Sequence, residues 1–494
     1  MISHNSPALI PLISLGSAIA LPLIAFKKKA LAHPFTLLVS FTMVILSFYN
    51  IARVWQGERI TYHFGGWLPP VGIEYLLDPL SAFIACVINT VAFFVLIHAG
   101  GILEREVPHR TVPYYALILL FLCGANGIII TGDVFNLYVF LEIFSLAGYG
   151  LIAVGERAAV VASFRYLILG TLGASFYLLG VGFLYIVTGS LNMADLKRII
   201  AVIPVNPALI AALALMVTGM ALKMALFPLH GWLPDAYTYA PSTTSALIAP
   251  IGTKVAAYVL IRLLFFVFGI KITVDTIPLL DVIGYMAAAG VLYGSLLAIA
   301  QKEMKRMLAY SSVAQIGYIG IGLSLANPMG YIGAVLHILN HAFMKGALFL
   351  VAGNLRNGSG HSEIPRFDAR LRKKYPGGMA AFSVAALSMI GIPPMAGFFS
   401  KWYLSLGAVE KSNWVMLAVI LISSLLNAVY FTRIWERVYL IKGNEENDDT
   451  LLQEKEPLIL LVPTLILSFS LILLGLGNSF LVTKIIARII PPGM

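Results

Sequence analysis

The sequence predicts an all-α polytopic membrane protein with about fourteen transmembrane helices. Of its 494 residues, 59% are hydrophobic and only 11% are charged, whereas soluble domains average about 45–50% apolar and about 25% charged residues. Apolar runs of roughly 20 residues, long enough to cross a hydrocarbon core of about 30 Å, recur along the whole chain. Because such runs are far too long for the strands of a membrane barrel, the backbone groups must be satisfied within helices.

The individual spans follow from the apolar runs and from the charged or turn-forming stretches between them. The first run is followed by Lys27, Lys28 and Lys29, and basic residues after the apolar stretch favour a retained helix over a cleaved signal peptide. The predicted spans are 6–26, 34–54, 75–99, 113–131, 134–154, 161–187, 208–228, 242–268, 278–300, 308–326, 330–355, 380–406, 412–440 and 457–487.

Basic residues between the spans predict the orientation of the chain. They are concentrated in loops that fall on one side under this numbering, and cytoplasmic loops carry the excess of lysine and arginine. That side is therefore predicted to be cytoplasmic, with both termini extracytoplasmic. The acidic stretch "NEENDD" at 444–449 falls on the same side, but acidic residues contribute little to orientation. The basic loops contain Lys27 to Lys29, Arg105 with Arg110, Arg157, Lys302 to Arg306, and "RFDARLRKK" at 366–374.

Charge and cysteine usage exclude some functions. The net charge of +10 comes from these loops rather than from a soluble basic face with interleaved aromatic residues, so no nucleic acid partner is expected. Cys86 and Cys123 lie singly within apolar runs, without CxxC or Cys/His spacing. Neither a disulfide framework nor a cysteine-ligated cluster is therefore predicted.

Two spans are interrupted by proline. The seventh breaks at Pro228, and the twelfth breaks at Pro393 and Pro394. Each also carries a lysine four residues after a glycine, Lys223 in "GMALK" and Lys401 in "GFFSK". Broken helices at corresponding places in two halves indicate an inverted-repeat transporter and its ion site. Proline kinks alone are also common in membrane helices.

A small set of ionisable residues lies deep within the spans, where a central charge costs about 2.5–3.5 kcal/mol or more. Three of them, His337, His341 and Lys345, recur at i, i+4 and i+8, which places them on one helical face. Lys254 and Lys345 also fit lysines whose charges reach the membrane surface. The histidine pair has no acidic or cysteine partner at ligand spacing, so neither a metal nor a cofactor is predicted. The selected residues are Glu142, Lys223, Lys254, His337, His341, Lys345 and Lys401.

These residue types suit proton transfer. Burial disfavours the charged form of a lysine and a nearby carboxylate favours it, so movement of a carboxylate loads or unloads a proton. Glu142 and Lys223 are the candidate pair for such a switch. Histidine titrates near neutral pH, so His337 and His341 are suited to relay protons between the two breaks. Each break frees backbone carbonyls that can hold water and provide a route from one surface.

Together these segments resemble a known family, the proton-translocating antiporter-like subunits of respiratory complex I, of Mrp-type cation/proton antiporters and of energy-converting membrane hydrogenases. The resemblance implies fourteen helices with two inverted five-helix repeats, spans four to eight and nine to thirteen, each with one broken helix. It divides the chain into helices 1–3 (1–100), two halves (101–269 and 270–440), and an acidic loop with helix 14 (441–494). The segments that carry it are "YLLDPLSAF" at 75–83, "FLEIFSLAGYGLIA" at 140–153, "KMALFPLHGWLPDAYTYAPSTTSALIAP" at 223–250, "MLAYSSVAQIGY" at 307–318, "HILNHAFMKGALFLVAG" at 337–353 and "GIPPMAGFFSKWYL" at 391–404.

The resemblance also implies a role for each selected residue. Glu142 and Lys223 form the switch pair, and Lys254 is the connector. His337, His341 and Lys345 form the relay, and Lys401 is the exit. One complex I homologue has glutamate at the exit position, so Lys401 resembles the D-type Mrp protein and the other complex I members. The chain stops after span fourteen, without the lateral helix of the largest complex I homologue or the extra domain of the A-type Mrp protein.

The resemblance therefore implies the D-type component of an Mrp-type Na+/H+ antiporter, a multi-pass protein of a prokaryotic inner membrane. Its expected partners are other membrane subunits, protons and the lipid bilayer, with Na+ as a second candidate ion. A subunit of an energy-converting hydrogenase or of a complex I-type NADH:quinone oxidoreductase is the alternative. A solitary antiporter or a membrane enzyme is disfavoured, since the chain has no cofactor fingerprint, activated nucleophile or metal ligands.

Overall fold

The computed structural model describes residues 2–441, 456–491 and 493–494. These residues form a bundle of helices with one small β-hairpin, which confirms the predicted helical membrane fold. Twelve of the described helices are long and apolar enough to cross a membrane. The acidic stretch 444–449 lies outside the described residues.

Each predicted apolar run corresponds to a helix or to a broken pair of helices. Up to residue 261 the helices are α1 (Ile2–Ile24), α2 (Ala32–Trp55), α3 (Pro79–Glu106), α4 (Thr111–Ile130), α5 (Val134–Ala153), α6 (Arg157–Thr188), α7 (Met193–Ile200), α8 (Pro207–Met224), α9 (Leu233–Tyr239) and α10 (Ser242–Ile261). They are followed by α11 (Leu279–Ala300), α12 (Met304–Ser324), α13 (Pro328–Ser359), α14 (Ala369–Lys374), α15 (Pro376–Ile390), α16 (Ala396–Glu410), α17 (Trp414–Trp435) and α18 (Leu458–Leu476).

Two of the predicted spans are not among the twelve. Helix α12 is more polar than the others, and α15 and α16 are the two short pieces of the broken twelfth span. The exact count of spans, the inverted repeats and the four-part division of the chain stay predictions.

The third span begins later than the sequence predicts. Glu74–Leu77 forms strand β2, which pairs antiparallel with β1 (Ile60–His63). Helix α3 begins after Asp78, whose carboxylate accepts the Ser81 N–H at 2.9 Å while the Ser81 hydroxyl accepts the Asp78 N–H at 2.8 Å. This capping box satisfies exposed donors at the helix start, so the helix begins there rather than at residue 75.

Helices α10 and α13 lie at the centre of the bundle. The most apolar stretch of each is entirely buried within the protein, and α13 packs against α10, α12 and α16. Small residues allow the surrounding helices to approach closely. A Cβ atom added to Gly317 of α12, for example, would lie only 2.6 Å from the carbonyl oxygen of Ala287 on α11. Polar residues on the two central helices are therefore shielded from lipid.

A largely buried ion pair joins the start of α3 to the end of α10. Nη1 and Nη2 of Arg262 donate to Oδ2 and Oδ1 of Asp78 at 2.6 and 2.5 Å. The Arg262 Nε also donates to the Tyr258 hydroxyl at 2.8 Å. This two-fold contact fixes both the distance and the orientation of the two helix ends.

Candidate functional site

The seventh span is broken where the sequence predicts. Helix α8 ends at Met224, and Ala225 follows with a left-handed φ of 60°. The indole Nε1 of Trp232 donates to the Leu222 carbonyl at 2.9 Å. Because the last carbonyls of a helix have no partner within it, this contact stabilises the broken end. The link that contains Pro228 then leads into α9.

Lys223 lies in the last turn of α8 and is only 4% exposed. Its ammonium donates to the hydroxyl groups of Ser145 at 2.6 Å and Tyr149 at 3.3 Å, both on α5. Glu142 precedes these two by three and seven residues and so shares their face of α5. It is half-buried and interacts electrostatically with Lys223. No carboxylate lies within 4.0 Å of Lys223 in the described part of the chain, so hydroxyl groups hold the ammonium directly.

The twelfth span is broken in the same manner, because α15 ends at Ile390 and Gly391 follows with φ of 92°. Lys401, on α16, is 6% exposed. Its ammonium donates to the carbonyls of Met389 and Ile390, each at 3.0 Å, and to the Ser424 hydroxyl at 3.1 Å. Terminal carbonyls of a helix carry partial negative charge and therefore stabilise a cation. At this break the freed carbonyls bind the lysine itself, whereas the sequence predicted that they would hold water.

Helix α13 presents His337, His341 and Lys345 on one buried face, in agreement with their spacing. The rings of the two histidines are 5.7 Å apart. Nδ1 of His337 lies 3.0 Å from the Ser400 hydroxyl. Nε2 of His337 and both ring nitrogens of His341 have no hydrogen-bond partner among the described residues.

Lys345 and Lys254 belong to the same buried cluster. Lys345 donates to the Leu308 carbonyl at 2.7 Å and to the Ser311 hydroxyl at 2.5 Å, both on α12. Lys254, on α10, donates to the Ala249 carbonyl at 2.7 Å and interacts electrostatically with both histidines and with Lys345. Both lysines are fully buried. The alternative that their charges reach the membrane surface is therefore wrong.

Tyr318 of α12 links the histidine pair to the second break. Its ring lies 5.4 Å from the His337 ring, and the Lys401 ammonium lies 4.9 Å from its centroid. His337 and Lys401 also interact electrostatically. Sequence analysis missed Tyr318, because tyrosine is common in apolar cores. The available signal was its helical spacing from Ser311, seven residues earlier on the same face of α12.

Lys305 is a further buried lysine, and assigning it to the charged loop Lys302 to Arg306 was wrong. Helix α12 begins at Met304, so Lys305 belongs to its first turn and is fully buried. Its ammonium donates to the Ala240 carbonyl at 2.6 Å. Lys305 precedes Leu308 and Ser311, the residues of α12 that bind Lys345, by three and six residues and so lies within about two helical turns of them.

Ala240 also lines a surface pocket of about 330 Å³. Its charged lining residues are Arg105, Glu106, Glu156 and Arg356. Arg356 and Glu156 form an ion pair at 3.3 Å, and Glu106 accepts the Ser242 N–H at 2.7 Å. Lys305 interacts electrostatically with Glu106. The pocket lies at the end of the molecule that carries the basic loops.

The arrangement as a whole provides proton donors and acceptors without a metal cage. Among the described residues, no three His, Cys, Asp or Glu side chains come together as metal ligands would. The buried ammonium groups bind hydroxyl and carbonyl oxygens instead. No hydrogen bond joins Lys223 to Lys254 in the described chain, although α8 packs against α10.

Comparison with known proteins places these features in context. Residues 131–427 match the family described as NADH:quinone oxidoreductase/Mrp antiporter, TM. The NADH-quinone oxidoreductase subunit N of Desulforudis audaxviator is 45% identical over 98% of each chain. The D component of the Na(+)/H(+) antiporter of Alkalihalophilus pseudofirmus is 30% identical over 82% of this chain and 81% of that protein. A chain of the membrane-bound sulfane sulfur reductase, an archaeal respiratory membrane complex, is 31% identical with a TM-score of 0.88, over 98% of this chain and 97% of that one.

Proposed function

Because the chain belongs to the NADH:quinone oxidoreductase/Mrp antiporter family, we propose that it is a proton-translocating subunit of a multisubunit membrane complex. The observation that carries this proposal is the row of buried lysines and histidines at the two breaks and on the central helices. None of these lysines forms an ion pair among the described residues. A fold that retains so many costly charges away from lipid is suited to moving protons between them.

Glu142 and Lys223 form the proposed switch at the first break. Burial disfavours the ammonium form of a lysine and a carboxylate favours it. The two hydroxyl groups that hold Lys223 lie on the same face of α5 as Glu142. A shift of α5 against α8 would therefore change the carboxylate's influence on the ammonium and drive proton uptake or release.

The second half of the route runs along α13 and α12. Buried polar groups need partners, so the unpaired ring nitrogens of His337 and His341 mark places where water or a proton can be accommodated. Lys254 interacts electrostatically with both rings. Tyr318 then leads from His337 to Lys401, which we propose as the outlet to the extracytoplasmic side.

The surface pocket above Lys305 supplies a second proposed feature, access from the cytoplasmic side. Its lining carries charges of both signs, which favour water, and we propose that Lys305 forms its floor because its ammonium donates to the carbonyl of the lining residue Ala240. Further along α12, the Leu308 carbonyl and the Ser311 hydroxyl bind Lys345. We propose that a proton entering from the pocket passes along α12 from Lys305 to Lys345.

The relatives support two kinds of assembly. The Mrp-type role expected from the sequence is supported by the 30% identical D component of a Na(+)/H(+) antiporter. The 45% identity to an NADH-quinone oxidoreductase subunit N, over 98% of each chain, supports a redox-driven complex more strongly. We therefore propose a redox-driven prokaryotic membrane complex first and the Na+/H+ antiporter second. Proton uptake by the purified complex that requires an electron donor and quinone supports the first; uptake driven by a Na+ gradient alone supports the second.

The Glu142→Ala variant tests the proposed proton switch. We expect it to assemble normally but to lose proton transport, because Lys223 then lacks its only nearby carboxylate in the described chain. Glu142→Asp, which keeps the charge on a shorter arm, should retain part of the activity. Glu104→Ala removes an exposed carboxylate and serves as the control. Normal transport by an assembled Glu142→Ala complex would rule out the switch.

A further inference from the structure

An apolar groove lies outside the buried site, between α15 and the end of α17. It has a volume of about 590 Å³, and almost all of its lining surface is apolar. The Trp435 indole Nε1 donates to the Ser383 hydroxyl at 3.0 Å, so the ring forms a wall with its polar group already satisfied. Other lining residues are Leu387, Thr432, Glu436 and Tyr439. The groove therefore fits an apolar chain and offers almost no hydrogen bonds.

One end of the groove is cationic. The basic helix α14 packs against the helical turns Glu436–Leu440 that follow α17, and the Ala369 N–H donates to the Ile441 carbonyl at 3.1 Å. The Arg372 guanidinium lies 5.1 Å from the Tyr439 ring centroid, and Tyr439 lines the groove. This contact places Arg372 at the groove's mouth.

The charge at this mouth is not neutralised by the described residues nearby. Arg366 pairs with Glu363, and Arg370 pairs with Asp368. Arg372 and the neighbouring Lys373 are exposed and form no ion pair in the described part of the chain.

We propose that this groove binds one anionic phospholipid, with an acyl chain along Leu387 and Trp435 and the phosphate on Arg372. Guanidinium groups bind phosphate oxygens in a two-fold contact, and basic pockets beside membrane helices select anionic head groups. Tryptophan and tyrosine prefer the depth where head groups meet acyl chains. A partner helix would use the apolar wall but would have no need of the cationic mouth. Glu436 lines the groove as well and opposes the phosphate, so it limits affinity.

The test measures lipid retained by the intact purified complex after exposure to vesicles. One set contains phosphatidylcholine alone and the other contains added phosphatidylglycerol; mass spectrometry counts the bound lipid. We expect preferential retention of phosphatidylglycerol, with about fivefold less in Arg372→Gln and less in Leu387→Trp, which fills the groove. Glu436→Gln should increase retention. Lys302→Gln, which removes an exposed cation elsewhere, should change nothing.

A photoreactive residue at position 432 then identifies what occupies the groove. Cross-linking to phospholipid supports the proposal, and cross-linking to another protein would overturn it. Equal retention of both lipids, or unchanged retention in Arg372→Gln, would also overturn it. Competition by inorganic phosphate without any lipid cross-link would reduce the site to a phosphate site. Arg372 is exposed, so its variant tests the proposal even if Leu387→Trp fails to assemble.

Discussion

Lys401 is bound by three oxygen atoms and has no carboxylate partner among the described residues. We expect Lys401→Arg and Lys401→Ala both to assemble and to lose transport. Guanidinium does not deprotonate usefully, and alanine removes the titratable group. Lys401→Glu should retain partial activity as another titratable group. The measurement is the pH gradient across inverted vesicles at matched expression, and Lys411→Arg at the end of the same helix is the control. Full activity in Lys401→Arg would make Lys401 a structural charge.

Lys305 offers a second test at the scale of one residue. If it forms the floor of a cytoplasmic entrance, Lys305→Met should slow proton transport by about 100-fold or more, the range for loss of a positioned proton-transfer group. Lys302→Met removes an exposed lysine three residues away and should leave the rate unchanged. The comparison uses proton flux per assembled complex at several pH values. Equal rates in the two variants would remove Lys305 from the route.

Single residues could be predicted from the sequence where a charged side chain lies within an apolar run. Lys223 and Lys254 were selected because charged residues in apolar runs are rare and costly. Lys305 follows a charged loop and looked ordinary, and Tyr318 is an unremarkable core residue by type. Only the contacts of Lys305 with Ala240 and of Tyr318 with His337 reveal their positions, and these depend on folding.

At the scale of helices, the second break depends on Gly391. Its φ of 92° is a left-handed conformation, and a Cβ added there would lie 3.1 Å from Cδ of Lys401. We expect Gly391→Ala to lower the free energy of unfolding by about 1–2 kcal/mol and to impair transport by displacing Lys401. Thermal unfolding in detergent measures the first effect. Gly182→Ala, in an open position of α6, should show neither effect.

Most helices could be predicted because a membrane span needs a minimum length of apolar residues and because proline interrupts a helix. The hairpin was not, since the apolar residues of Glu74–Leu77 suit a short strand and a helix start equally well. Helix α7 was missed for a different reason: it is too short and too amphipathic to appear as a span. Its length and composition fit a surface helix.

At the scale of the whole molecule, orientation can be tested directly. We expect a cysteine at Arg370 to react with a membrane-impermeant reagent only when the cytoplasmic face is exposed, because its loop has the densest basic cluster. A cysteine at Val202, which is 81% exposed at the opposite end, should react only from outside. The native Cys86 and Cys123 are buried and should not interfere. Labelling at Arg370 from outside intact cells would reverse the orientation.

For the molecule as a whole, contacts between residues far apart in the sequence could not be predicted. Lys223 and Ser145 are separated by 78 residues, and Arg262 and Asp78 by 184. Hydrophobic periodicity describes neighbours within one helix and carries no information about which helices meet. The family resemblance supplied the expected arrangement, but the hydroxyl and carbonyl partners of the buried lysines are defined only by the folded structure.

During synthesis, Asp78 reaches the membrane well before the arginine that finally binds it. The 184 residues between them correspond to roughly 10–40 s of translation at about 5–20 residues per second. Throughout that interval, α3 must be held in the translocation machinery or in lipid without its guanidinium partner. The Ser81 N–H and hydroxyl give the carboxylate a local partner as soon as the first turn of α3 forms. The capping box thus gives the charge a local partner until Arg262, at the end of α10, reaches it.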